Sequence, residues 1–166
     1  MSLHEIKLSD LSINPWEKIG KEWFLVASGD ESGYNMMTAS WGFVGEMWSK
    51  DVFETVVRHN RYTYEFMEKN DLFTISFFDS DKKDVLKFCG ANSGRDVDKT
   101  EKTGITPFFT DGTVAFNEAS LVFVCRKLYA GDFDLDKLNA VEKDKWYGTD
   151  PVHRQYIGEI VKVYIK

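Results

Sequence analysis

The chain is poor in the residues that most directly announce a chemistry. It has two cysteines, Cys89 and Cys125, and three histidines, His4, His59 and His153. Two cysteines cannot build a disulfide framework. Neither they nor the histidines fall at metal-ligand spacing, so no metal site is expected. Basic residues are in deficit: 21 Lys and Arg against 27 Asp and Glu leave a net charge of −6. That balance argues against a nucleic-acid surface, which needs clustered cations. The purely apolar run Leu121–Cys125 is far short of the roughly 20 residues that span a bilayer. Met1-Ser2-Leu3-His4-Glu5 lacks the charged-then-apolar pattern of a secretory leader. The expectation is a cytoplasmic protein with neither membrane nor nucleic acid as partner. No Gly-x-Gly-x-x-Gly follows a strand, and there is no phosphate loop ending Gly-Lys-Ser/Thr and no Gly-x-Ser-x-Gly elbow.

What is present is an ordinary globular composition in 166 residues, enough for one domain with a real core. Aromatics are abundant at 15%, which fits a β-rich fold or a flat-walled ligand pocket without choosing between them. Residues 1–22 read as a polar lead-in with a turn at Asn14-Pro15. A hairpin is expected from about Trp23 to Val44, turning at Ser28–Gly33, and a strand over Asp51–Arg58. A helix opens at Asn60–Thr63 and ends near Asn70. After the strand Leu72–Phe78, a second helix starts at Ser80 or Asp81 and stops at Gly90. A polar loop, Ala91–Arg95, precedes a short helical turn ended by Gly104. Further strands are expected at Val114–Phe116, Ala119–Leu128 and Tyr156–Ile165, the last with Ile157, Val161, Val163 and Ile165 inward and Gly158 on the other face. Residues 131–152 read as a charged surface insert. Strands dominate and do not alternate with helices, which disfavours a doubly wound sheet and favours a closed or nearly closed antiparallel barrel with helices at its flank.

Three stretches carry candidate chemistry. In Asn35–Gly42, small residues (Thr38, Ala39, Ser40, Gly42) interleave with large ones (Met36, Met37, Trp41), as a strand does where something flat approaches its backbone. A hairpin making room for a helix would read the same way. Arg61 and Thr63 stand at a helix start, where free N–H groups favour an anion. Ser93, Gly94, Arg95 and Lys99 form a second anion-ready cluster, although such arginines are commonly solvated or salt-bridged. His153 reads equally as a site residue, active at a pH near its pKa, or as a strand-opening structural residue. Cys89 and Cys125 read as packed thiols.

Taken together, Asn35-x-Met37-Thr38-Ala39-Ser40-Trp41-Gly42, Arg61-x-Thr63-Tyr64-Glu65, Cys89-Gly90-x-x-Ser93-Gly94-Arg95-Asp96-x-Asp98-Lys99 and His153-x-x-Tyr156-x-Gly158-Glu159-Ile160 resemble the flavin reductase-like family of FMN-binding split barrels. The four motifs occur in the family's order across roughly residues 23–165. The resemblance implies a mainly β fold: a six-stranded antiparallel split barrel of Greek-key type with flanking helices, occupying 1–166 as one domain and forming a homodimer. It implies FMN, bound by Asn35, with Met37, Thr38, Ala39, Ser40 and Trp41 about the isoalloxazine and Arg61, Thr63, Ser93, Gly94, Arg95 and Lys99 about the phosphate. His153 is its catalytic candidate. The implied activity is hydride transfer from NADH or NADPH to flavin, with electrons passed to free flavin, iron or a partner protein. The alternative is an FMN-binding electron carrier with no nicotinamide site. Trp48-Ser49-Lys50-Asp51 replaces a Pro-rich approach to the third strand, and the acidic, aromatic insert before His153 also departs from the family pattern.

Overall fold

The computed structural model describes residues 2–166. Ten strands and four α-helices follow in order: β1 (His4–Ile6), β2 (Phe24–Asp30), β3 (Gly33–Ala39), β4 (Gly42–Met47), β5 (Lys50–Arg58), α1 (Tyr62–Lys69), β6 (Leu72–Phe77), α2 (Lys83–Ala91), α3 (Lys99–Thr103), β7 (Pro107–Thr110), β8 (Thr113–Phe116), β9 (Leu121–Asp132), α4 (Ala140–Tyr147) and β10 (His153–Ile165). No helix among the described residues is long and apolar enough to cross a membrane.

The antiparallel ladder runs β3-β2-β6-β9-β10-β5-β4, with β1 added alongside β10 and β7-β8 forming a separate hairpin. The two ends of that ladder, β3 and β4, are consecutive in the chain and are not paired with each other. The barrel is therefore split at the link Ser40–Trp41. The architecture is the expected one, with more strands than six. β1 lies in the lead-in, where three residues are too few to show a period. β4 lies within what reads as the tail of the first hairpin, and β7 opens on a proline, which sequence patterns count against a strand.

Two apolar clusters explain why the central strands are hydrophobic at nearly every position. On β2, Phe24 and Val26 join Phe53, Phe73, Phe77, Phe123 and Tyr156 inside the barrel. Leu25 and Ala27 face the other way, onto Leu86 and Cys89 of α2 and Val114–Phe116 of β8. Strand β9 divides similarly, Leu121, Phe123 and Cys125 inward and Val122 and Val124 outward. Burial on both faces replaces the usual alternation by a continuous apolar run.

Two details correct the sequence reading. Two register shifts disturb the β9–β10 ladder: at Ile157/Gly158 the extra residue is Leu128 of β9, and at Ile160/Lys162 it is Val161 of β10, which breaks the period of that strand. Gly158 consequently faces the core, where a Cβ would press on the Phe73 ring and Cys125, while Ile157 turns outward beside Glu54, its pair on β5. The added Val161 reverses the faces on either side of it. Alternation counted back from Val163 and Ile165, which do face the core, therefore misplaces both Ile157 and Val161, the latter packed on the outer cluster. Gly90 does not end α2, which runs to Ala91 with Asn92 as its C-cap; it lies against the Thr38 side chain of β3. Gly104, by contrast, ends α3 in the left-handed conformation expected of it.

Candidate functional site

The outer side of β3 is fixed by hydrogen bonds to the helical layer. Thr38 Oγ1 donates to the Leu86 carbonyl at 2.5 Å, tying the strand to α2. Asn35 Nδ2 donates to Thr63 Oγ1 at 2.8 Å in a buried contact, tying it to the start of α1. Lys99 is buried, and its Nζ donates at 2.8 Å to the carbonyls of Met36 and Cys89. Burial holds the Lys99 pKa below its ordinary value, and the neighbouring Arg61 charge adds to the effect. Gly94 packs so closely on Asn35 that a methyl group there would overlap the amide oxygen. A glycine is the residue that fits.

Between these elements lies a cavity of about 250 Å³ lined by Asn35, Thr38, Arg61, Thr63, Ser93 and Gly94. It adjoins a second cavity of about 210 Å³ lined by Met37–Trp41, Val56, Arg58, Arg61, Trp146 and His153. Met37, Thr38 and Arg61 border both. Arg61 is the N-cap residue of α1, and no side chain caps that helix start. Among the described residues its guanidinium makes no hydrogen bond or ion pair. An unpaired arginine at a helix start without a side-chain cap has the chemistry to hold an anion.

Sequence motifs and geometry differ over Arg95. Its guanidinium bonds Glu65 and lies 4.7 Å over the Tyr62 ring, and it borders neither of these two cavities. Lys99 borders the first, but two of its donors serve main-chain carbonyls that join β3 to α2. Arg61 is thus the cation that both cavities share. Ser93 accepts from the Arg95 N–H at 3.2 Å and shapes the loop.

The far end of the trough is aromatic. The Trp41 ring meets Trp146 of α4 edge-on at 4.7 Å and His153 at 5.2 Å. His153 Nδ1 bonds the Tyr147 hydroxyl at 2.9 Å. Burial, with the charges of Arg58 and Arg61, pushes the His153 pKa down to about 4. The ring is therefore held neutral at pH 7. The insert is not a free surface excursion. Arg58 Nη1 and Nη2 donate to the carbonyls of Pro151 (2.6 Å) and Trp146 (3.1 Å), pinning its end against the barrel. Arg58 was not among the sequence candidates. Its one signal is position, the last residue of β5, paired in register with His153. Cys89 and Cys125 are buried free thiols; burial raises both, Cys89 to about 11.

The trough carries a cation-lined pocket and an aromatic pocket side by side, and comparison with known families resolves which kind of protein builds it. The flavin reductase like domain matches residues 16–166. The chain belongs to the flavin reductase-like family. Among solved structures, its fold is similar to flavoredoxin from Methanosarcina acetivorans (TM-score 0.71, 20% identity, covering 94% of this chain and 75% of that one). It is also similar to an FMN-binding protein from Thermus thermophilus with bound p-hydroxybenzaldehyde (0.68, 21%, 87% and 71%). A third likeness is nitrilotriacetate monooxygenase component B from Bacillus cereus (0.67, 18%, 93% and 81%). At such identities these likenesses speak for the fold. No curated protein matches the chain.

Proposed function

We propose that this flavin reductase-like protein binds FMN along β3 and is an NAD(P)H-dependent oxidoreductase that passes electrons to free flavin, iron or a partner protein. The observation that carries the reading is the unpaired Arg61 at the junction of the two cavities. In a chain of net charge −6, a cation left without a carboxylate at a helix start with no side-chain cap matches a phosphate ester. The residues present fit FMN. Arg61, Thr63, Ser93 and the Gly94 backbone would hold the phosphate, and Met37 to Trp41 would bed the ring. Bound FMN supplies hydride acceptance and one- or two-electron transfer.

The chain's own residues orient and shield. The Thr38 and Lys99 hydrogen bonds hold β3 at fixed distance from α2, so the bed is set before a ligand arrives. Neutral His153 accepts or donates a hydrogen bond at the ring end without adding charge, while Arg58 holds the insert that walls off water. We further propose a homodimer, as the family resemblance implies. Supporting it, edge strand β4 exposes Phe43 and Met47 and leads to Trp48, all large apolar side chains open to solvent. A cytoplasmic location belongs to the same proposal.

One feature favours the alternative, an FMN-binding electron carrier without a nicotinamide site. Trp146 already packs on Trp41 where a nicotinamide would approach. Anaerobic addition of NADH or NADPH to the FMN-loaded protein distinguishes the two. Bleaching of the flavin absorbance is expected. A flavin that bleaches under photoreduction but with neither nucleotide would make the protein a carrier.

A further inference from the structure

Four consecutive residues, Arg58 to Arg61, meet parts of the molecule that lie far apart in sequence. Arg58 ends β5 and holds the far end of the insert through the Pro151 and Trp146 carbonyls. His59 holds its beginning: Nε2 lies 2.9 Å from Oδ1 of Asp132, the last residue of β9. The His59 ring is also stacked on Tyr64 of α1, with centroids 4.8 Å apart. The Arg61 N–H then closes the turn on the Arg58 carbonyl at 3.0 Å, and the Arg61 side chain borders the phosphate pocket. Asp132 is fixed as well by Arg154 Nη1 at 3.1 Å, and Arg154 Nε forms an ion pair with Glu68 of α1 at 2.9 Å.

Both ends of the insert are thus fastened to the turn that carries the phosphate-binding cation. The phosphate pocket has no residue of the insert in its lining, and α4 buries no residue. A helix without buried side chains is held by its few attachments, so their placement decides whether it stays down. A partly exposed His–Asp pair contributes little to global stability; its effect is on where two elements sit relative to each other. We propose that His59 is a positioning residue: an anion at Arg61 steadies the turn, and through Asp132 the turn holds the insert down over Trp41. The inference rests on the flavin reading above. By linkage the effect runs both ways, so a closed insert tightens the hold on phosphate as much as phosphate closes the insert.

Fluorescence titration of the purified protein gives the affinity ratio of FMN over riboflavin, and hydrogen exchange with mass spectrometry follows α4 in each complex. In the wild type, α4 is expected to exchange more slowly with FMN than with riboflavin, although the phosphate pocket touches nothing in the insert. His59→Phe keeps a ring against Tyr64 and loses the bond to Asp132. It is expected to lower the affinity ratio at least about fivefold and to abolish the difference in α4 exchange, while retained riboflavin binding shows that it folds. His59→Gln, which can still donate to Asp132, is expected to restore much of both. In the Arg61→Gln background, His59→Phe is expected to leave the ratio where it was. An unchanged ratio in His59→Phe, an equal drop in the Arg61→Gln background, or α4 exchange that is the same with either flavin overturns the inference and leaves the flavin reading standing. A wild-type protein with no preference for FMN over riboflavin removes the phosphate reading, and the inference with it.

Discussion

Arg61 carries its charge at the junction of two cavities, and no anion among the described residues neutralises it. Charge-assisted contacts contribute about 1.5–3 kcal/mol, so Arg61→Gln is expected to weaken FMN roughly 10- to 150-fold and riboflavin hardly at all, as measured by fluorescence titration. Arg95→Gln is the informative companion. Both arginines sit in motifs that read alike, and only their surroundings separate them: Arg95 has Glu65 and Tyr62, whereas Arg61 has neither a carboxylate nor a ring. Sequence spacing shows where cations cluster but not which one is already satisfied. Glu54 makes a second residue-scale case. It is buried on the outward face of β5, and burial raises its pKa to about 7 against a relief from Gln155. The native state thus keeps a proton that the unfolded chain releases from about pH 4.5, so this carboxyl makes the fold less stable as pH rises toward 7. His153 acts in the opposite sense. With its pKa near 4 in the fold and near 6.5 unfolded, it withdraws stability as pH falls between those values. Glu54→Gln removes a penalty on the order of 3 kcal/mol at pH 8. It should therefore melt several degrees above wild type at pH 8 and close to it at pH 4.5. A variant no more stable at pH 8 would show that Glu54 is ionised without cost.

At the scale of elements, the arm Asn35–Gly42 was legible as a strand with room beside it, and α1, α2, β6 and β9 stood close to their expected places. What periodicity cannot see is what happens across elements. Gly42 shows this: with φ of 152° and a position where a Cβ would overlap the Glu54 carbonyl, it lets β4 start directly after the split. Trp48 and Ser49 both adopt positive φ at the β4–β5 turn, a tight turn made without glycine, so no turn signal announced it. The insert is the largest such gap. Its charged helix α4 buries no residue and reads as surface, yet Arg58, with four strands between it and α4 in sequence order, clamps its end over Trp41. The Trp41–Trp146 pair is worth about 0.5–1.5 kcal/mol. Trp146→Ala should lower the melting temperature by a few degrees and speed reduction of bound flavin by NADH or NADPH in stopped-flow absorbance. An unchanged reduction rate would mean that Trp146 stands outside the donor's path.

For the whole molecule, the barrel closes everywhere except between β3 and β4, and the candidate site is built along one lip of that opening. The motif order announced this fold, because the four motifs fall on β3, α1, the α2–α3 loop and β10, which the topology gathers around the split. The other lip, β4, carries Phe43 and Met47 into solvent, and it is the surface a second copy would cover. Sedimentation equilibrium of the flavin-loaded protein should give twice the 19.2 kDa chain mass, and a monomer at micromolar concentration would refute the dimer. The central claim is that the trough along β3 holds a flavin by its phosphate. Titrating the purified protein with FMN and with riboflavin, followed by flavin fluorescence, tests it most directly. FMN should bind at least about tenfold more tightly, as one charge-assisted contact requires; equal affinities, or no binding of either, would contradict the account.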